Sequence, residues 1–207
     1  LMFRMIDSWG GLPTASHWSF GLNATIWICL GFAQVRRMSL GGALRALRIG
    51  LAVVFLALAG LELFVATSLS NPLFYGVGGT VFGPPLLNTL MPAYLLPAIV
   101  PYLGTRWLGD MHRLIRLALR TISVALAALW LGLTIRHFWR GAEGMRLPQI
   151  DQPELYSYTV ALLVVGAVLF YRSLASNSPM LRKAGLAVIG LAVAKVFLID
   201  IAGLGGL

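Results

Sequence analysis

Apolar residues run through this chain in six long blocks, separated by short stretches where arginine, glycine and proline gather. The blocks fall near residues 18–35, 49–69, 86–103, 117–135, 155–171 and 184–201. Each approaches the roughly 20 apolar residues that a helix needs to cross a hydrocarbon core. None alternates polar and apolar positions over about 10 residues, as a barrel strand would, so helices are predicted. The expected fold is all-α: a polytopic transmembrane helical bundle of about six spans.

Composition points the same way. Of 207 residues, 58% are hydrophobic and 11% are charged, and the mean hydropathy is +0.84. A soluble domain carries roughly 25% charged residues, which this chain lacks for covering itself against water. The net charge of +9 raises nucleic acid as a partner. The basic residues, however, sit at the ends of apolar blocks and not in one run, so no nucleic-acid partner is expected. They read instead as topology signals. With the N-terminus outside, the inner segments carry eleven arginines and lysines and the outer segments four, a clear positive-inside bias. Trp18, Trp107, Trp139, Tyr156 and Tyr158 fall near predicted span ends, where amphipathic rings settle. The first block lacks the charged flank and cleavage site of a signal peptide. Because an apolar block reaches nearly to Leu207, the chain is expected to be a piece of a longer multi-pass protein. The lipid bilayer and the remaining transmembrane helices of that chain are its expected partners.

Charge inside an apolar block is costly and therefore informative. Lys195 and Asp200, in "AKVFLID", are five residues apart, about 140° around a helix, and face different neighbours. Glu62 in the second block and Lys195 in the sixth lie at nearly the same depth, about 19 and 16 Å by helical rise. A Glu62–Lys195 pair is the expectation, with Asp200 nearer the outer interface; an outward-turned Lys195 is the alternative. The third block carries Pro92, Pro97 and Pro101, which predicts a kinked or broken helix with Asn88 and Tyr94 as its polar groups. Arg136 and Arg140 share one face at the end of the fourth block, suited to a helix C-terminus or an anionic headgroup. Asp151 and Glu154 around Pro153 mark a helix start. Gly190 and Ala194, four apart, are expected to permit close helix packing.

Other chemistry is weaker. Cys29 is alone. His17, His112 and His137 are scattered, which predicts no shared metal site. The stretch "GVGG" lacks the lysine and hydroxyl of a phosphate loop. No catalytic residue and no cofactor is assigned.

Four stretches look familiar together: "NTLMPAYLLPAIV", "LGLTIRHFWRG", "PELYSYTVALLVVGAVLFY" and "LRKAGLAVIGLAVAKVFLIDIAGLGGL". They resemble the C-terminal part of domain-of-unknown-function family 2339, predicted bacterial membrane proteins, over residues 88–207. The resemblance implies recurring positions at Asn88, Tyr94, Pro97, Arg136, Tyr156, Ser157, Lys195 and Asp200, and a longer parent chain. It implies no activity. Three expectations for function follow. The first is a structural, envelope-associated membrane domain. The second is a permease built on the third helix with Glu62, Lys195 and Asp200. The third is a membrane enzyme acting on lipid-linked substrates through Arg136, Arg140, Asp151 and Glu154.

Overall fold

The computed structural model describes residues 16–38, 41, 44–74, 80–108, 112–147 and 149–200. Its described elements are helical. They form two compact units, residues 1–146 and 147–207. The first holds α1 (His17–Met38), α2 (Arg45–Phe64, continued by a π turn Val65–Leu69), α3 (a π turn Met91–Leu95, then Leu96–Trp107) and α4 (Arg113–Gly144). The second holds α5 (Gln152–Ser176) and α6 (Pro179–Lys195, continued by a π turn Val196–Asp200). Among the described residues, three stretches are long and apolar enough to cross a membrane: Arg45–Leu69, Arg113–Gly144 and Gln152–Ser176. The glycine-rich residues 76–79 and the side chain of Asp200 lie outside the described residues.

In the first unit, α1 and α2 form one hairpin and α3 and α4 another, while α1 packs along α3. Three contacts set the relation of α1 to α3: His17 to Thr89, Gly21 to Ala93, and Phe32 to Gly104. Each joins residues 72 positions apart, so the two helices run parallel in one register. Arg120 meets Thr105 and His137 meets Asn88, an equal number of residues along each helix, so α3 and α4 are antiparallel. Both hairpin turns therefore lie at the same end of the unit. Arg48 helps to close the first turn by donating to the carbonyls of Arg37, at 2.7 Å, and Gly41. That supplies partners to carbonyls at and beyond the end of α1.

Small residues make these contacts possible. On α2, Ala52, Ala59 and Ala66 are buried, whereas Val53, Val54, Leu61 and Phe64 on the other faces are exposed. Lipid is as apolar as leucine, so helices in a bilayer gain by close packing and not by hiding hydrophobes. Gly21 is the extreme case: a β-carbon there would lie 2.2 Å from the Ala93 carbonyl oxygen. In the second unit the seam is Gly166 against Gly185, where added β-carbons would meet the facing helix at 2.6 and 2.8 Å. Gly190, expected as the packing glycine, faces open space instead, and Ala194 is exposed. The small-residue spacing was there, but on the opposite face from the seam.

The third block also differs from expectation at its start. Residues 83–88, with Pro84 and Pro85, are bent and not helical, and Leu90 is the first helical residue. Pro92, Pro97 and Pro101 do not break α3 into two. The π turn Met91–Leu95 passes Pro92, and Pro97 and Pro101 are buried against neighbouring helices, which is how membrane helices tolerate proline.

Near its end α4 kinks at Gly141, with φ 65° and ψ −173°, a conformation essentially reserved for glycine. Beyond it Met145 is buried at 1% exposure, and the Arg136 Nε donates to the Met145 carbonyl at 2.6 Å. Gly141→Ala is expected to cost about 1–3 kcal/mol. Gly132→Ala, on the same helix with open space around it, is the matched control that should show no loss in thermal unfolding.

Candidate functional site

The described polar side chains concentrate where α3 begins. This is the end of the first unit opposite the two hairpin turns. Asn88 caps the helix: its Oδ1 accepts from the Leu90 N–H at 3.1 Å, and its carbonyl accepts from Met91. Such a cap satisfies an otherwise orphaned donor. The Asn88 Nδ2 donates to the Pro85 carbonyl at 2.9 Å and to His137 Nδ1 at 3.3 Å. That makes Nδ1 the acceptor nitrogen of this imidazole. Thr89 does the equivalent for α1. Its Oγ1 accepts from the Phe82 N–H at 3.2 Å and shares a hydrogen bond with His17 Nε2 at 3.1 Å.

Tyr94 completes the hub. It is fully buried, its ring stacks on His17 at 6.3 Å, and its hydroxyl donates to the Ala66 carbonyl at 2.8 Å. The π turn of α2 explains why that carbonyl is available. In a continuing α-helix the Ser70 N–H would bond Ala66; here it bonds Val65 at 2.9 Å. The first turns of α3 thus tie down α1, α2 and α4 together. His17 (0% exposed) and His137 (6%), which looked scattered in sequence, join one network through the adjacent Asn88 and Thr89.

Not every polar group is satisfied this way. Ser123 Oγ, Trp130 Nε1 and Thr134 Oγ1 are buried on the face of α4 toward α3 and have no hydrogen-bond partner among the described residues. The same holds for the Glu62 Oε2 on α2, a half-buried residue.

In the second unit, the Lys195 Nζ donates to the Thr159 hydroxyl at 2.7 Å and to the Leu155 carbonyl at 3.0 Å. It therefore turns toward the start of α5, tying the last α-helical residue of α6 to it. Lys195→Met is expected to lower the stability of this helix pair by about 1.5–3 kcal/mol, the worth of hydrogen bonds to a charged group. The check is the unfolding midpoint in detergent, with Lys195→Arg restoring part of the loss. Glu154 is fully buried in the first turn of α5 and accepts from the Tyr158 hydroxyl at 3.1 Å. Asp151 occupies the N-cap position without a side-chain capping bond, and Pro153 follows at the helix start. Tyr156 is exposed. Asp200 closes the π turn Val196–Asp200.

Set against the sequence, the structure brings Asn88 and Tyr94 together at one hub and puts Arg136 on a backbone carbonyl. Arg140 is half-buried beside Gly144. Glu62 belongs to the first unit and Lys195 to the second. His17, Thr89, Thr159 and His137 were not singled out as site residues. The available signal was weak: a histidine at each of two predicted span ends on the same side.

The comparisons with known proteins follow the same lines. The family model described as "Predicted membrane protein (DUF2339)" matches residues 4–207. The likeness noted from residue 88 onward therefore extends over α1 and α2 as well. No curated protein and no solved structure matches the chain. With a family model covering nearly its whole length and three helices fit to cross a bilayer, the chain belongs to the predicted membrane protein family DUF2339.

Proposed function

We propose that this chain is a structural transmembrane module of a longer multi-pass envelope protein in the bacterial inner membrane. Its polar residues hold helices in register. The observation that carries this reading is the hub at the start of α3, where Asn88, Thr89 and Tyr94 bond to three other helical segments. The excess of basic residues at the hairpin turns supports an orientation with that hub outside. Bilayer lipid and further helices of the parent chain are the partners in this reading.

The test is accessibility combined with stability. Cysteines placed at Leu126, at mid-depth on α4, and at Thr134, one turn from the hub, should resist a membrane-impermeant thiol reagent in a Cys29→Ser background. Tyr94→Phe should lower the stability by about 1 kcal/mol, for one buried hydrogen bond, read as a lower unfolding midpoint. Ready labelling at both positions would favour a wet path and sink the structural reading.

A permease is the second reading, supported by the unpartnered Glu62 Oε2, Ser123 Oγ and Thr134 Oγ1. Buried polar groups without partners in a bilayer commonly face water or a permeant species. It requires that labelling. The Glu62–Lys195 pair stays a separate proposal. Its test is the charge swap: Glu62→Lys with Lys195→Glu should recover stability lost in either single variant.

A further inference from the structure

At the end of the first unit opposite the hub, the two hairpin turns gather Arg36, Arg37, Arg45, Arg48, Arg106, Arg113, Arg116 and Arg120, against the single acid Asp110 in the same segments. The parallel register of α1 and α3 brings both turns to one end. Such a surplus of fixed positive charge calls for anions from outside the chain. We infer that this end binds the phosphate of anionic glycerophospholipids, with Arg106 and Arg120 as the central pair.

Both of these guanidiniums are exposed but held. Arg106 donates from Nη2 to the Tyr102 hydroxyl at 3.1 Å and lies 5.0 Å over that ring. Arg120 donates from Nε to the buried Thr105 hydroxyl at 3.3 Å. Tyr102, Thr105 and Arg106 share one face of α3, so the two charges are gathered on that face with N–H groups left over. A guanidinium offers a phosphate two parallel donors, and holding it in place lowers the ordering cost of that geometry.

The surroundings select lipid over a soluble anion. Trp107, 73% exposed, adjoins Arg106 at the depth where aromatic rings meet headgroups. Leu117 and Val124 lie exposed on the same face of α4 as Arg113 and Arg120. This apolar strip fits acyl chains, which a free phosphate or an acidic peptide lacks.

The experiment is native mass spectrometry of the detergent-purified chain titrated with dioleoyl phosphatidylglycerol or dioleoyl phosphatidylcholine. The wild type should bind the anionic lipid about thirtyfold more tightly, as expected for two arginines at an anionic headgroup. R106Q/R120Q should lose most of that preference, and R106K/R120K should keep part of it. Glycerol 3-phosphate and polyglutamate should not displace the lipid. Equal binding of both lipids by the wild type overturns the inference, as does an unchanged preference in R106Q/R120Q or displacement by either soluble anion. Should the glutamine variant fail to fold, the wild-type comparison and the two competitions still decide.

Discussion

Replacing Gly21 by alanine should destabilise the first unit by about 3 kcal/mol, the upper end of what overpacking costs. The reason is what the new methyl meets. At Gly21 it lands on the Ala93 backbone, with the carbonyl oxygen at 2.2 Å and the Cα at 2.4 Å. A backbone segment inside a packed helix cannot rotate out of the way, so α1 and α3 must separate, and the His17–Thr89 bond one turn away opens with them. Gly104 makes the instructive comparison. An added β-carbon there meets the ring of Phe32, also at 2.2 Å, but that obstacle is a side chain with rotamers to choose from. Gly104→Ala should cost nearer 1 kcal/mol. Gly60→Ala, with nothing within 4 Å, should be neutral or slightly stabilising, because alanine is the better helix former. Thermal unfolding of the three variants in one detergent checks the ranking. Equal losses at positions 21 and 60 would refute the α1–α3 contact.

The second large effect is expected at Asn88. Alanine there removes the cap on the Leu90 N–H and leaves His137 Nδ1 buried without its donor. A lost cap costs about 1 kcal/mol and a stranded buried polar atom about 1–3, so a total near 3 kcal/mol is expected. Asn88→Asp separates the two contributions. It keeps an oxygen for Leu90 and replaces the N–H with an acceptor, so it should recover the capping part, and any further recovery would measure His137 donating from Nδ1 in its other tautomer. A double-mutant cycle of Asn88→Ala with His137→Ala measures the pairing directly, and a coupling indistinguishable from zero would remove Asn88 from the hub.

The helices were legible in the sequence because their signal is local. Apolar blocks of sufficient length and the Asp-Gln-Pro-Glu helix start are written in neighbouring residues. The hub was legible only in part. Asn88 and Tyr94 stood out as polar groups in a proline-rich block, but their partners include the backbone carbonyls of Pro85 and Ala66, and every residue carries a carbonyl. The same limit applies to Lys195. Two of its bonds run to a hydroxyl and a carbonyl on α5, which depth along the helix axis does not announce. His17 and His137 illustrate a different limit. Nothing in the spacing of two residues 120 apart announces that consecutive residues, Asn88 and Thr89, will link them. For the glycines, spacing on one helix identified the right kind of residue and the wrong face, since the seam depends on where the partner helix lies.

The side-by-side, same-direction arrangement of α1 and α3 also bears on how the molecule is made. Each hairpin can form as soon as its own turn and second helix have been synthesised. The two must then find each other laterally, through contacts that span 72 residues of chain. Assembly of the four-helix unit is thus expected to be a meeting of two preformed halves. Co-expressing them as separate polypeptides, divided between α2 and α3, should rebuild it without the connecting peptide bond.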